Sequence, residues 1–354
     1  MNILFSGPYR QLDGWGEASR RYLKALLKTD HNINSQFIRL GQNIDEEFDN
    51  TEIIESEKNE LNGVDLTIHY TLPSFIQRLN DCKNVCMFHY ETTSPYKNAK
   101  PILEKMDGII VSTHNEKAGI LHKNVANIAV PAYPSEYKNL KKPKDNRPYT
   151  FLFMGEIVTR KNIHGLLRAY LSAFAGEDNV RLIIKGNVDE KDFHPFVVHT
   201  VQACRKSNMP NSLPEIEYIG NRLTREEVLE LHNNTDCFIS LSYGESICLP
   251  LLDSLMVGNK AIVTGDTGMD NFLTNDNVKL VEGFPTPCFC PRPPLPDIYT
   301  CEENWIEPNI SQAIRIMRDL VDDNNQSKNP HQITVEKHSE KRIARELNEF
   351  INKL

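Results

Sequence analysis

Apolar runs of strand length alternate with helix-patterned segments along nearly the whole chain, and the alternation breaks once. The first series is "NILFS", "VDLTIHY", "NVCMFHY", "GIIVST" and "VANIAV"; the second is "YTFLFMG", "VRLIIKG", "EIEYIG", "DCFISLS" and "KAIVTG". Helical stretches lie between them. In "EASRRYLKALLK" the residues Ala18, Tyr22, Leu23, Leu26 and Leu27 form one stripe. The segments "IHGLLRAYLSAF", "TREEVLELHNN" and "PLLDSLMV" separate later strands, and Thr224 with Glu227 makes a capping box for the middle one. Such alternation predicts parallel sheets with helices on both faces. The break is "PAYPSEYKNLKKPKDNRP", with four prolines and no apolar period, which reads as a linker.

The expected fold class is therefore α/β, with two doubly wound, Rossmann-like domains. The first spans 1–140 and the second 149–330, and a charged amphipathic helix at 335–354 packs back on the first. A length of 354 residues suits two domains. Ligands in this architecture bind at the C-terminal ends of the strands, in a cleft between the domains. The stretch "GFPTPCFCPRPPLPDIYTC" shows neither period and reads as irregular.

Charge narrows the partners. A net charge of −8 gives no global attraction to nucleic acid or anionic lipid. No apolar run approaches the roughly 18 residues that span a bilayer, so no integral membrane segment is expected. "MNILFSGPYR" reads as a first strand rather than a signal peptide. A cytoplasmic location with reduced cysteines follows as the expectation.

Three places carry candidate chemistry. Gly14 and Gly16 stand between the first strand and its helix, where glycines let backbone N–H groups approach a phosphate or sugar. A plain tight turn explains them equally, since the full dinucleotide fingerprint is absent and Ser19 stands at its third position. A strand ends at Gly155, and Arg160 and Lys161 follow just before a helix. Two cations there suit a pyrophosphate, or they are a solvated pair. The third place is "YGESICLPLLDSLMVGNKAIVTG". Pro250 suits the first turn of a helix, so the N–H groups of Ile247, Cys248 and Leu249 can face an anion. Glu245 precedes that helix and Asp253 lies about one turn inside it. Carboxylates are poor partners for phosphate and strong acceptors for hydroxyls. Two acids holding two sets of diols, with phosphate between, match a sugar nucleotide.

The same stretch resembles the segment with two acids eight positions apart in the retaining GT-B glycosyltransferases, specifically glycosyltransferase family four, of the group 1 type. The resemblance also takes in "GWGEASRRYLKAL", "GEIVTRKNIHGLLRAY", "YIGNRLTREEVLELHNNTDCFISLS" and "NWIEPNISQAIRIMRDL". It implies that Glu245 contacts the donor sugar, Asp253 the ribose and Lys161 the diphosphate. It places the base beside Asn221, Arg222 and Leu223, and sugar contacts along Ser246 to Leu249. Gly14 and Gly16 would close on the diphosphate and acceptor, and His89 would stand beside the reacting centre. The donor it implies is a UDP- or GDP-sugar, with no further cofactor and no metal. The acceptor is a hydroxyl on a glycan, a lipid-linked sugar, a metabolite, a protein or, less favoured by charge, a modified DNA base.

This chain departs from the pattern in three ways. The second acid is Asp253 rather than Glu. "SICLP" replaces a run of small residues. Glu156 stands where the family often has an Arg, which Arg160 would have to replace in stabilising the leaving group. Two other readings stay open: a non-catalytic sugar-nucleotide-binding relative, and a sugar-nucleotide epimerase of the same architecture. Cys288, Cys290 and Cys301 share one segment, but no CxxC pair or nearby His completes a zinc site.

Overall fold

A computed structural model of the chain describes residues 1–138, 140, 147–174, 176, 179–205, 213–272, 277–288, 298–323 and 332–354. They fold as two compact units. Unit 1 comprises Met1–Tyr133, 298–303 and Val335–Leu354; unit 2 begins at Pro134 and takes in Asn304–Thr334.

Unit 1 is built on strands β1 (Asn2–Gly7), β2 (Asn32–Phe37), β3 (Leu66–Tyr70), β4 (Lys83–Met87), β5 (Gly108–Val111) and β6 (Val125–Asn127). They form one parallel sheet in the order β2-β1-β3-β4-β5-β6. Its helices are α1 (Gly14–Leu26), α2 (Thr51–Glu57), α3 (Lys100–Leu103) and α4 (His114–Ala118). β3 and β5 are buried at every position, as expected of strands covered on both faces. β2 escapes the apolar pattern because it is an edge strand: Asn32 and Gln36 are exposed, and only Ile33 and Ser35 face inward.

Unit 2 repeats the plan with β7 (Tyr149–Met154), α5 (Ile163–Phe174), β8 (Val180–Lys185), α6 (Glu190–Arg205), β9 (Glu215–Ile219), α7 (Arg225–Asn233), β10 (Cys237–Ser240), α8 (Leu249–Met256), β11 (Lys260–Thr264) and β12 (Val278–Val281). The sheet order is β12-β11-β10-β7-β8-β9, again parallel. Phe151, Phe153, Leu166, Tyr170, Leu182 and Ile239 are among its core residues.

Two expectations are corrected. Part of the stretch read as irregular is a strand, β13 (Gly283–Pro287), paired antiparallel with β14 (Asn304–Pro308). Pro285 and Pro287 hid it, because a proline cannot donate to a ladder; in a two-stranded ribbon each strand has an unpaired side where it is tolerated. α9 (Ile310–Asp322) follows β14. The C-terminal segment is not one helix either. α10 (Gln332–Lys337) stops, and α11 (Glu340–Lys353) begins anew after Ser339. Between them the His338 side chain is buried and donates from Nδ1 to Val130 O at 2.7 Å, while His338 O accepts from Ala132 N at 2.7 Å. Those bonds tie the break to the rest of unit 1, and α11 packs along α1.

Candidate active site

In unit 2 a short 3-10 turn, Thr159–Lys161, carries the two candidate cations. Asn162 ends it in the left-handed region at φ 51°. The Asn162 amide donates to Leu241 O at 2.9 Å and accepts from Gly165 N at 3.1 Å, pinning the turn beside the end of β10. Tyr243 N donates to Arg160 O at 2.8 Å, and Arg160 Nη1 donates to Gly244 O at 2.7 Å. The carboxylate of Glu245 is thereby delivered to Lys161 Nζ, its ion-pair partner, and to Arg160 Nη1 at 3.4 Å. Ser242 Oγ donates to Glu245 Oε1 at 2.9 Å. Burial disfavours the charge on Glu245, but Lys161 and then Arg160 outweigh it and hold the carboxyl below its ordinary range. At Gly155 a Cβ would lie 3.3 Å from Phe153 Cζ and in ordinary contact with the Lys161 stem, 3.4 Å from Cε.

Gly268 N donates to Glu245 O at 2.9 Å, and a Cβ on Gly268 would fall 2.2 Å from Ser246 O, so only glycine fits. Cys248 caps α8 in a left-handed conformation at φ 51°, with Pro250 in the first turn. Ser246, Ile247 and Cys248 are buried, and burial pushes the Cys248 thiol up to about 12.

Asp253 has a different set of partners. Arg225 donates from Nη1 to Oδ2 at 2.6 Å and from Nη2 to Oδ1 at 2.9 Å. Tyr137 Oη donates to Oδ1 at 2.5 Å. Arg225 also grips Glu136 Oε2 through Nε at 3.1 Å and Nη2 at 2.9 Å. Among the described residues the two acids thus have different surroundings: two cations face Glu245, whereas Asp253 shares the guanidinium of Arg225 with Glu136.

In unit 1, Gly14 and Gly16 do not precede the helix but form its first turn. Asp13 caps it by accepting from Gly16 N at 2.9 Å, which starts the helix earlier than its apolar stripe suggests. His89 lies two residues past β4. Its Nε2 is 2.6 Å from Tyr70 Oη and its Nδ1 is 3.0 Å from Ser112 Oγ. The buried carboxylate of Glu116 accepts from Ser112 Oγ at 3.1 Å and from Ser112 N and Thr113 N at 2.9 and 3.0 Å. An ionised Glu116 can only accept, so Ser112 donates to it and His89 donates from Nδ1 to Ser112, while the direction of the bond between Nε2 and Tyr70 Oη follows the protonation of the ring. Trp15, between the two glycines, has its ring 5.4 Å from His89.

Of the expected residues, the structure brings together Gly155, Arg160, Lys161 and Glu245. Asn221 and Arg222 are exposed in the loop after β9, with Leu223 half-buried, and Leu249 opens α8. Glu156 is exposed, and it is Arg160 that reaches Glu245. The reading missed Arg225, Tyr137 and Glu136. Arg225 lay inside a segment that carries the resemblance and a helix cap but was given no role of its own, and the other two lay in the stretch read as linker. Cys290 lies outside the described residues; among the described residues no group of three His, Cys, Asp or Glu is placed to hold a metal.

These two parallel sheets with their helices define an α/β protein of the GT-B fold. Residues 136–286, which lie in unit 2, match the family model described as Glycosyl transferases group 1. The fold is similar to that of Anabaena Alr3699/HepE solved with UDP and glucose, at TM-score 0.68, 13% identity and 100% coverage of both chains. It is also similar to the lipopolysaccharide outer core galactosyltransferase WaaB in its apo form, at TM-score 0.67, 13% identity and 100% coverage of both. A Staphylococcus aureus (S. aureus) TarM variant, in complex with fondaparinux, α-GlcNAc-glycerol and UDP, matches at TM-score 0.57 and 12% identity over 81% of this chain, which covers 55% of TarM. This chain thus spans about half the length of TarM. No curated protein sequence matches the chain. No helix among the described residues is long and apolar enough to cross a membrane.

Proposed function

We propose that the protein transfers a hexose from a nucleoside diphosphate sugar to a hydroxyl acceptor with retention at the anomeric carbon. The observation that carries this reading is the different setting of the two acids. Around Glu245, two cations exceed the one carboxylate, which suits a diphosphate next to a sugar hydroxyl. Among the described residues, Asp253 and Glu136 are both paired to Arg225, and this setting suits a ribose diol better than a phosphate.

In the reaction the bond from the anomeric carbon to the β-phosphate oxygen breaks, and the acceptor oxygen forms the new bond on the same face. The acceptor proton passes to the departing phosphate oxygen. Lys161 and Arg160 hold the charge that develops on the diphosphate, already fixed in place before the reaction. Glu245 orients a donor hydroxyl, and His89 serves on the acceptor side. UDP, present in the HepE and TarM structures, is the first nucleotude to test, with GDP second.

A non-catalytic relative is the second reading, favoured by the exposed Glu156 at the end of β7. Calorimetry with a panel of nucleotide sugars tests the donor assignment. One donor should bind the wild type and fail to bind Glu245→Ala and Lys161→Ala. Equal binding by all three proteins excludes this site.

A further inference from the structure

The Arg225 cluster asks why a shorter acid stands at Asp253 and why it is so heavily engaged. Thr224 and Glu227 close a capping box that fixes the start of α7, and Arg225 is the first residue of that helix. From there its planar fork is held on three sides. Asp253 takes two N–H groups, Glu136 takes two contacts, and the Tyr137 ring lies 5.9 Å from the guanidinium. A guanidinium is rigid, so a bidentate pair sets the plane of the carboxylate it meets. The Asp253 side chain is 5% exposed and Arg225 27%, so the pair is largely withdrawn from solvent. Tyr137 Oη adds a third donor to the carboxylate. Asp has one fewer rotatable bond than Glu, and Arg225 and Tyr137 both hold its carboxylate here.

The geometry points to Arg225, seconded by Tyr137, as the positioning residue that orients Asp253 to accept from a vicinal ribose diol, making the site selective for ribonucleoside over 2′-deoxyribonucleoside diphosphates. This rests on the donor reading above. The two carboxylates that meet at Arg225 support the diol as ligand, because hydroxyls donate to carboxylates and phosphates are repelled by them. A carboxylate has about four acceptor sites, so ligand hydroxyls and protein donors share it. The loop Asn221–Leu223 leads directly into this cluster, which links the expected base contacts to the ribose acid through Arg225.

The test is the affinity ratio between a nucleoside diphosphate and its 2′-deoxy analogue, measured by calorimetry after a panel identifies the base. Wild type should prefer the ribo form by about ten- to a hundredfold, the range of one hydrogen bond to a charged group. Arg225→Lys keeps the charge but loses the fork, and Tyr137→Phe loses one donor with little change of shape. Both should compress the ratio several-fold with the melting temperature nearly kept. Lys161→Gln should weaken both ligands alike and keep the ratio. A ratio unchanged in Arg225→Lys and Tyr137→Phe overturns this inference and leaves the donor reading standing. No binding of any nucleoside diphosphate by wild type overturns the donor reading itself.

Discussion

Lys161 and Glu245, 84 positions apart, form a buried ion pair at the C-terminal edge of the unit 2 sheet. Their side chains are 13% and 6% exposed. Removing one partner leaves the other desolvated. Lys161→Ala should therefore cost about 3 kcal/mol, softened by the Arg160 contact, whereas Lys161→Met with Glu245→Gln should recover most of that loss. Thermal melts of the three proteins check it; equal losses in single and double variants contradict it.

Gly14 and Gly16 differ in what they permit. A Cβ on Gly14 meets nothing within 4 Å, while one on Gly16 would lie 2.0 Å from Gln11 O. Arg20 Nη1 also donates to Gln11 O at 2.7 Å, so that carbonyl is held in place. Gly14→Ala should be neutral or stabilising by up to about 1 kcal/mol. Gly16→Ala should cost about 1–3 kcal/mol. Melting temperatures in the reverse order would refute the assignment.

His338 gives unit 1 an acid sensitivity. Burial, with smaller contributions from Lys337, Arg21 and Arg342, lowers its pKa to about 4 against a bond to Val130 O that raises it. The unfolded chain binds this proton near pH 6.5 and the folded one only near pH 4, so stability falls as pH drops through that window. The full loss is about 3 kcal/mol, at one pKa unit per 1.36 kcal/mol. His338→Gln should flatten the difference in melting temperature between pH 7 and pH 5. An unchanged difference would show that other groups carry it.

Much of this arrangement was legible in the sequence, and the exceptions have physical causes. Strands apolar on both faces, such as β3 and β5, declare themselves; edge strand β2 and proline-bearing β13 do not, because pairing and not composition makes them strands. Glu245, Arg160 and Lys161 were readable from spacing at strand ends and helix starts. Asp253 was readable as an acid, but its partner was not. Arg225 is 28 positions away, and no local pattern announces a contact made only when α7 and α8 pack together.

His89 offers a kinetic prediction under the proposed function. With its ring held between Tyr70 and Ser112, His89→Ala should lower turnover by about a hundredfold or more and leave donor affinity nearly unchanged. Glu116→Gln should act in the same direction but less, through the Ser112 bond. A fall in donor affinity with turnover intact would place His89 elsewhere in the reaction.

The most direct measurement is nucleoside diphosphate release from a panel of UDP- and GDP-hexoses, with and without cell extract as a source of acceptors. The account predicts release from one donor, strengthened by extract and reduced at least about a hundredfold in Lys161→Ala and Glu245→Ala. Tight binding of a donor with no release under either condition would contradict a transferase and establish a sugar-nucleotide-binding relative.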